Sequence, residues 1–185
     1  MRFYVPAEHN ALVRVTDERN QPHYLIQSLR SFELNGVRVL SLSAETLGEA
    51  RQSSLKLLPS YTLTNGTGDE TIGQINRLVG VWREVLFVSG LNWLVVGDIT
   101  QNQYNVFRGN KKVWVVDTLN RADDADYFVV DVADPVNEVP ALLVAAVLNR
   151  WRKVPLRSGV RNLLKPKKKG YVLGDDFAPY RHRRS

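Results

Sequence analysis

Short runs of β-branched and aromatic residues, each closed by turn-forming residues, recur along the first 132 positions and predict strands. The runs are Phe3–Val5, Leu12–Thr16, Tyr24–Ser28, Val37–Leu42, Glu49–Leu57, Ser60–Thr64, Thr71–Leu78, Glu84–Val88, Trp93–Asp98, Gln103–Phe107, Lys111–Thr118 and Tyr127–Val132, 12 in all. In Val37–Leu42 the alternation puts Val37, Val39 and Ser41 on one face and Arg38, Leu40 and Leu42 on the other. Asp17-Glu18-Arg19-Asn20-Gln21-Pro22 has the composition of a hairpin loop, Asn65-Gly66-Thr67-Gly68-Asp69 that of a turn needing positive φ, and Gly109-Asn110 that of a tight turn.

The period then changes. From Glu138 to Arg152 the chain reads EVPALLVAAVLNRWR, a helix-forming stretch that is apolar nearly all round between Val139 and Leu148. Asn137 is the expected N-cap, Glu138 complements the positive first turn, and Arg150, Arg152 and Lys153 complement the negative end. A helix without a polar face has to be buried on every side. At 1.5 Å per residue it spans roughly 22 Å, too short to cross a bilayer. A run of antiparallel strands followed by one such helix calls for a sheet that encloses it, and barrels of about 11 strands are wide enough for that. The small residues Ala141, Ala145 and Ala146 suit a crowded axis. The expected fold is therefore mainly β, an antiparallel closed barrel of about 12 strands around a central hydrophobic helix. The expected domains are a barrel over 1–153, with its helix at 138–152, and a C-terminal extension over 154–185.

The order of elements resembles the tubby C-terminal-like superfamily. So does the ending Tyr127-Phe128-Val129-Val130-Asp131-Val132 followed by Ala141–Leu148. Within it, Leu91-Asn92-Trp93-Leu94-Val95-Val96-Gly97-Asp98, leading through Tyr104-Asn105-Val106 to Lys111–Val116, is similar to the late strands of the LURP-one-related branch, which includes small bacterial proteins. The resemblance covers residues 1–152 and leaves the region after Lys153 without a counterpart. It implies a 12-stranded barrel around a buried helix, kinship with phosphoinositide-binding tubby proteins and with phospholipid scramblases, and no shared catalytic residues.

Charge divides the chain at the same place. Residues 1–150 hold 14 Lys and Arg against 17 Asp and Glu, whereas residues 151–185 hold 11 Lys and Arg against only Asp175 and Asp176. The net +6 thus belongs to a basic extension on a mildly acidic body. Arg157, Arg161, Lys165, Lys167, Lys168 and Lys169 form one cluster, and Arg181, Arg183 and Arg184 a second. These nine are the candidate anion- or lipid-binding residues. Leu163, Leu164, Tyr171 and Phe177 lie among them for shallow insertion into a leaflet. The same cations could neutralise nucleic-acid phosphates, with Tyr171 and Tyr180 stacking on bases. They could also serve only to keep the chain in solution or to fold back on the acidic body.

Other chemistry is sparse. With no cysteine, disulfides, thiolate metal sites and cysteine nucleophiles are excluded. His9, His23 and His182 stand apart and read as singly bonded or solvated rings, so no metal site is expected. Asp123-Asp124-Ala125-Asp126 has carboxylates for a hard cation, but without an EF-hand's glycine and terminal glutamate it reads as a hairpin loop. Ser53, Ser54 and Ser89 sit in no nucleophile elbow, and Gly80, Gly90 and Gly97 form no phosphate loop. Trp82, Trp93, Trp114 and Trp151 read as barrel packing, with Trp151 at the helix exit, ahead of a ligand-stacking set. No enzyme and no cofactor are expected. The segment Met1–Asn10 has no signal-like apolar stretch, so the expected location is cytoplasmic, with peripheral attachment to membranes. Two function classes stay open: a non-catalytic module that binds anionic lipid, and a regulatory protein that binds nucleic acid or another protein through the basic extension.

Overall fold

The computed structural model describes residues 1–7, 11–30, 35–53, 60–66, 70–78, 84–98, 101–120 and 126–153. Twelve strands, β1 (Arg2–Pro6), β2 (Leu12–Thr16), β3 (Pro22–Arg30), β4 (Asn35–Leu40), β5 (Thr46–Gln52), β6 (Tyr61–Asn65), β7 (Glu70–Leu78), β8 (Glu84–Ser89), β9 (Trp93–Asp98), β10 (Gln103–Arg108), β11 (Lys111–Asn120) and β12 (Asp126–Val132), precede the helix α1 (Glu138–Lys153). Each strand pairs antiparallel with the next in sequence, and β1 closes the ring by pairing with β12 from Arg2↔Asp131 to Pro6↔Tyr127. Between β1 and β2 the described residues register one pair, Tyr4↔Thr16.

The helix fills the ring. Every residue from Ala141 to Asn149 is buried, which covers more than two turns and hence every side of the helix. Leu142, Leu143, Val144, Ala145, Val147 and Leu148 expose no surface at all. A helix lying on the outside of a barrel would keep a wet stripe, so α1 is the core element around which the strands close. Its backbone runs nearest β4, β5 and β12. Gly48 on β5 gives it room, since a Cβ there would come within 3.0 Å of both Val139 and Leu143. The opposite wall compensates for the greater distance with Trp93, Tyr104 and Trp114 on β9, β10 and β11.

The structure shifts several local expectations. Leu40 is buried together with Val37 and Val39, because the β4–β5 register slips between Val39 and Leu40 and turns that side chain. Leu42 lies outside the strand and is 54% exposed. Pro22, assigned to the hairpin loop, opens β3, and β5 runs over Thr46–Gln52 instead of 49–57, residues 54–59 lying outside the described set. A capped 3-10 turn leads directly into α1. Asp134 caps a 3-10 turn, Pro135–Asn137, by accepting from the Val136 N–H at 3.1 Å. Asn137, the expected cap, directly precedes α1, is buried and accepts from Arg108 Nη2 at 3.4 Å. The turn at Gly109 takes the expected positive φ, +58°.

Candidate functional site

Inside the barrel the aromatic groups on β9, β10 and β11 pack edge-on, with ring centroids 5.6 Å apart for Trp93–Trp114 and 6.3 Å apart for Tyr104–Trp114. All three side chains are at most 2% exposed, as the packing reading expects. The Trp93 and Trp114 Nε1 atoms and the Tyr104 hydroxyl have no hydrogen-bond partner there, and burial pushes the Tyr104 phenol far above its ordinary pKa. Trp151 stands edge-on to Tyr61 at 5.7 Å where α1 leaves the barrel.

Both ends of the helix are tied to the wall by polar contacts. At the entry end the Tyr24 hydroxyl donates to Glu138 Oε2 at 2.7 Å. Burial first, and then this carboxylate, push the phenol up to about 12. At the exit end Asn102 Nδ2 donates to Asn149 Oδ1 at 3.1 Å, while Arg150 donates to the Gly36 carbonyl and to Asn35 Oδ1. Sequence reading missed these pairs, since the partners lie 47 to 115 residues apart and no local pattern links them.

The buried carboxylate of Glu49 was also missed. It faces outward between the inward positions Gly48 and Ala50, yet it is only 1% exposed because two arginines close over it. Arg51 Nε and Nη2 donate to it at 2.6 and 3.1 Å, and Arg38 Nη2 at 3.3 Å. Burial works to raise the Glu49 pKa, but the Arg51 hydrogen bonds and the two positive charges outweigh it, so the carboxyl is held below the usual range. The stabilisation this implies is present above the unfolded-state value of about 4.3 and is lost as pH falls through the lower folded value. In melting curves recorded from pH 6 down to pH 2, wild type should therefore lose a few degrees more below pH 4 than Glu49→Gln does. Parallel losses in the two proteins would remove Glu49 from the acid response.

Of the other singled-out side chains, His23 Nε2 lies 3.1 Å from Asp17 Oδ2, within the hairpin where Asp17 Oδ1 accepts from the Arg19 and Gln21 N–H groups. Ser53 pairs with Ser60, and Ser89 donates to the Gln74 carbonyl. Among the described residues no group of three His, Cys, Asp or Glu could hold a metal ion. His9, Ser54, Gly80, Trp82, Asp123, Asp124, Ala125 and His182 lie outside the described residues. So do all nine candidate anion- or lipid-binding cations: Arg157, Arg161, Lys165, Lys167, Lys168, Lys169, Arg181, Arg183 and Arg184.

No family model and no curated protein sequence matches the chain. Among solved structures, the X-ray structure of an Arabidopsis thaliana protein, AT5G01750, a LURP-one/tubby-like fold protein, matches with a TM-score of 0.52 at 14% sequence identity. The match covers 80% of this chain and 88% of that one. The chain has a tubby-like fold. At this identity the likeness speaks for the fold alone, because a barrel-and-helix packing needs only the alternation of apolar positions and tolerates almost any residues on its outer face. The tubby-like barrel carries its core helix where other barrels keep a ligand cavity.

Proposed function

We propose that this tubby-like chain is a non-catalytic binding module of the LURP-one-related branch that attaches peripherally to anionic lipid surfaces through its basic extension. The observation that carries this reading is the division of charge: 11 Lys and Arg against two acids after residue 150, on a body with more acids than bases. The plugged interior supports it, because a barrel occupied by its own helix offers its outer surface and its extension to partners. No helix among the described residues is long and apolar enough to cross a membrane, so the proposed attachment uses charge and shallow insertion.

Lys165, Lys167, Lys168 and Lys169 crowd four ammonium groups into five positions, and as point charges they read surface charge and not sequence. Each lysine near an anionic leaflet contributes ~1 kcal/mol, so replacing the four by glutamine should weaken co-sedimentation with vesicles containing phosphatidylserine at least tenfold at low salt. The gap between wild type and variant should close towards 1 M salt, where the screening length is about 3 Å, and the melting temperature should hardly move. Wild-type protein that ignores these vesicles but binds RNA, DNA or a protein would replace the lipid reading by the regulatory one.

A further inference from the structure

The outer wall of the barrel carries a feature of the opposite sign. Two adjoining recesses meet at Arg2 and Asp131. One, of about 300 Å³, lies between the start of β1 and the β2–β3 turn and is bordered by Asp17, Glu18 and Arg19. The other, of about 280 Å³, runs over β1, β12 and β11, with Tyr4, Val129 and Val115 in its lining and Asp117 and Leu119 at its border. Strand register explains the groove. The pairs Arg2↔Asp131, Tyr4↔Val129, Val115↔Asp131 and Asp117↔Val129 place these outward side chains side by side on three neighbouring strands, and the two short valines leave a hollow between longer neighbours.

Two properties set this wall apart. An antiparallel wall facing water ordinarily presents polar side chains, whereas here Val115, Val129 and Leu119 point outward, Leu119 being 39% exposed. The border is acidic: Asp17, Glu18, Asp117 and Asp131 against Arg2, Arg19 and the Met1 ammonium leaves one negative charge in excess. Arg2 is shared between Asp131 at 3.0 Å and Glu18 at 3.4 Å, so one guanidinium serves two carboxylates. Asp117 is held by neutral donors, Gln103 Nε2 at 3.0 Å and the Thr118 N–H at 2.8 Å, and keeps its charge facing outward.

We infer that this groove docks a basic, extended peptide segment of a partner protein. An aliphatic side chain of that segment sits over Val115 and Val129, and its lysines or arginines meet Asp117 on one side and Glu18 and Asp131 on the other. The volume suits a few residues of extended chain and not a folded face, and the acidic border attracts a cationic segment while it repels phosphates and anionic leaflets. The groove is thus opposite in sign to the basic extension, and its test does not depend on lipid binding.

The experiment uses the full chain and fluorescence anisotropy of three labelled ten-residue probes, alternating lysine–leucine, lysine–serine and glutamate–leucine. The lysine–leucine probe should bind, the lysine–serine probe at least tenfold more weakly, and the glutamate–leucine probe not at all. The double variant Glu18→Lys with Asp117→Lys should weaken lysine–leucine binding at least tenfold. Glu45→Lys, an exposed reversal in the β4–β5 turn, should change it less than twofold, and vesicle co-sedimentation should not weaken in the double variant. Equal effects of Glu45→Lys and the double variant would overturn the groove in favour of diffuse charge attraction. Equal binding of the lysine–leucine and lysine–serine probes would overturn the apolar seat, and a lysine–leucine probe that does not bind would overturn the proposal outright.

Discussion

Replacing Ala145 by aspartate should abolish cooperative folding. Ala145 is fully buried at the middle of the helical plug, and the neighbouring positions Val144 and Ala146 are at most 6% exposed. A carboxylate there has no cationic partner and no route to water, and a buried unpaired charge costs several kcal/mol even after the surroundings relax. That is comparable with the roughly 5–15 kcal/mol that holds a typical domain together. The expected result is insoluble or loosely packed protein that has lost its near-ultraviolet circular dichroism and its sharp melting transition. Val136→Asp, nine positions nearer the N-terminus at a site 77% exposed, is the matched control and should melt within about a degree of wild type, since exposed substitutions typically change stability by less than ~0.5 kcal/mol. An Ala145→Asp protein with the wild-type melting temperature would mean that α1 does not fill the barrel.

The second large effect belongs to Gly97. It lies on β9 between two paired strands, opposite Tyr104 on β10 and Glu84 on β8. A Cβ there would come within 2.2 Å of the Gln103 carbonyl oxygen and 2.5 Å of the Tyr104 Cα, which are backbone atoms with no rotamer to yield. Gly97→Ala must therefore push β10 aside and with it Tyr104, which packs on Trp114 in the aromatic wall. Overpacking of this kind costs about 2–3 kcal/mol, which in a domain of this size lowers the melting temperature by roughly 5–10 °C. Gly66→Ala separates close approach from backbone preference: its φ is +54° but nothing stands within 4 Å of the added carbon, so its cost should stay near ~1 kcal/mol. If calorimetry ranks the two glycines the other way, strand proximity at Gly97 is not what fixes that residue.

These two positions were not equally legible in advance. Ala145 was, because a helix apolar on all sides announces its own burial, and the strand series announced itself through β-branched runs and the turn residues between them. Gly97 read only as a glycine in a strand, since nothing in its own segment records how closely β10 approaches. The same limit holds for Leu40, where a register slip between β4 and β5 overrode a clean alternation, and for Asn137, whose side chain meets Arg108 on a distant strand.

Local periodicity therefore determined which segments become strand or helix, and that the helix must be enclosed. It also placed the positive charge in residues 151–185. Only the tertiary structure decided what lies beside what. Closing the ring pairs β1 with β12, bringing Arg2 to Asp131 across 129 positions of chain, and this juxtaposition creates the acidic groove. Glu49 acquired its arginine cover in the same way, from residues that happen to share one outward face once β4 and β5 are in register. The physical reason is that a side chain's inward or outward sense depends on its own strand alone, whereas its neighbours depend on the register and closure of all twelve strands, which are set jointly by how the whole core packs.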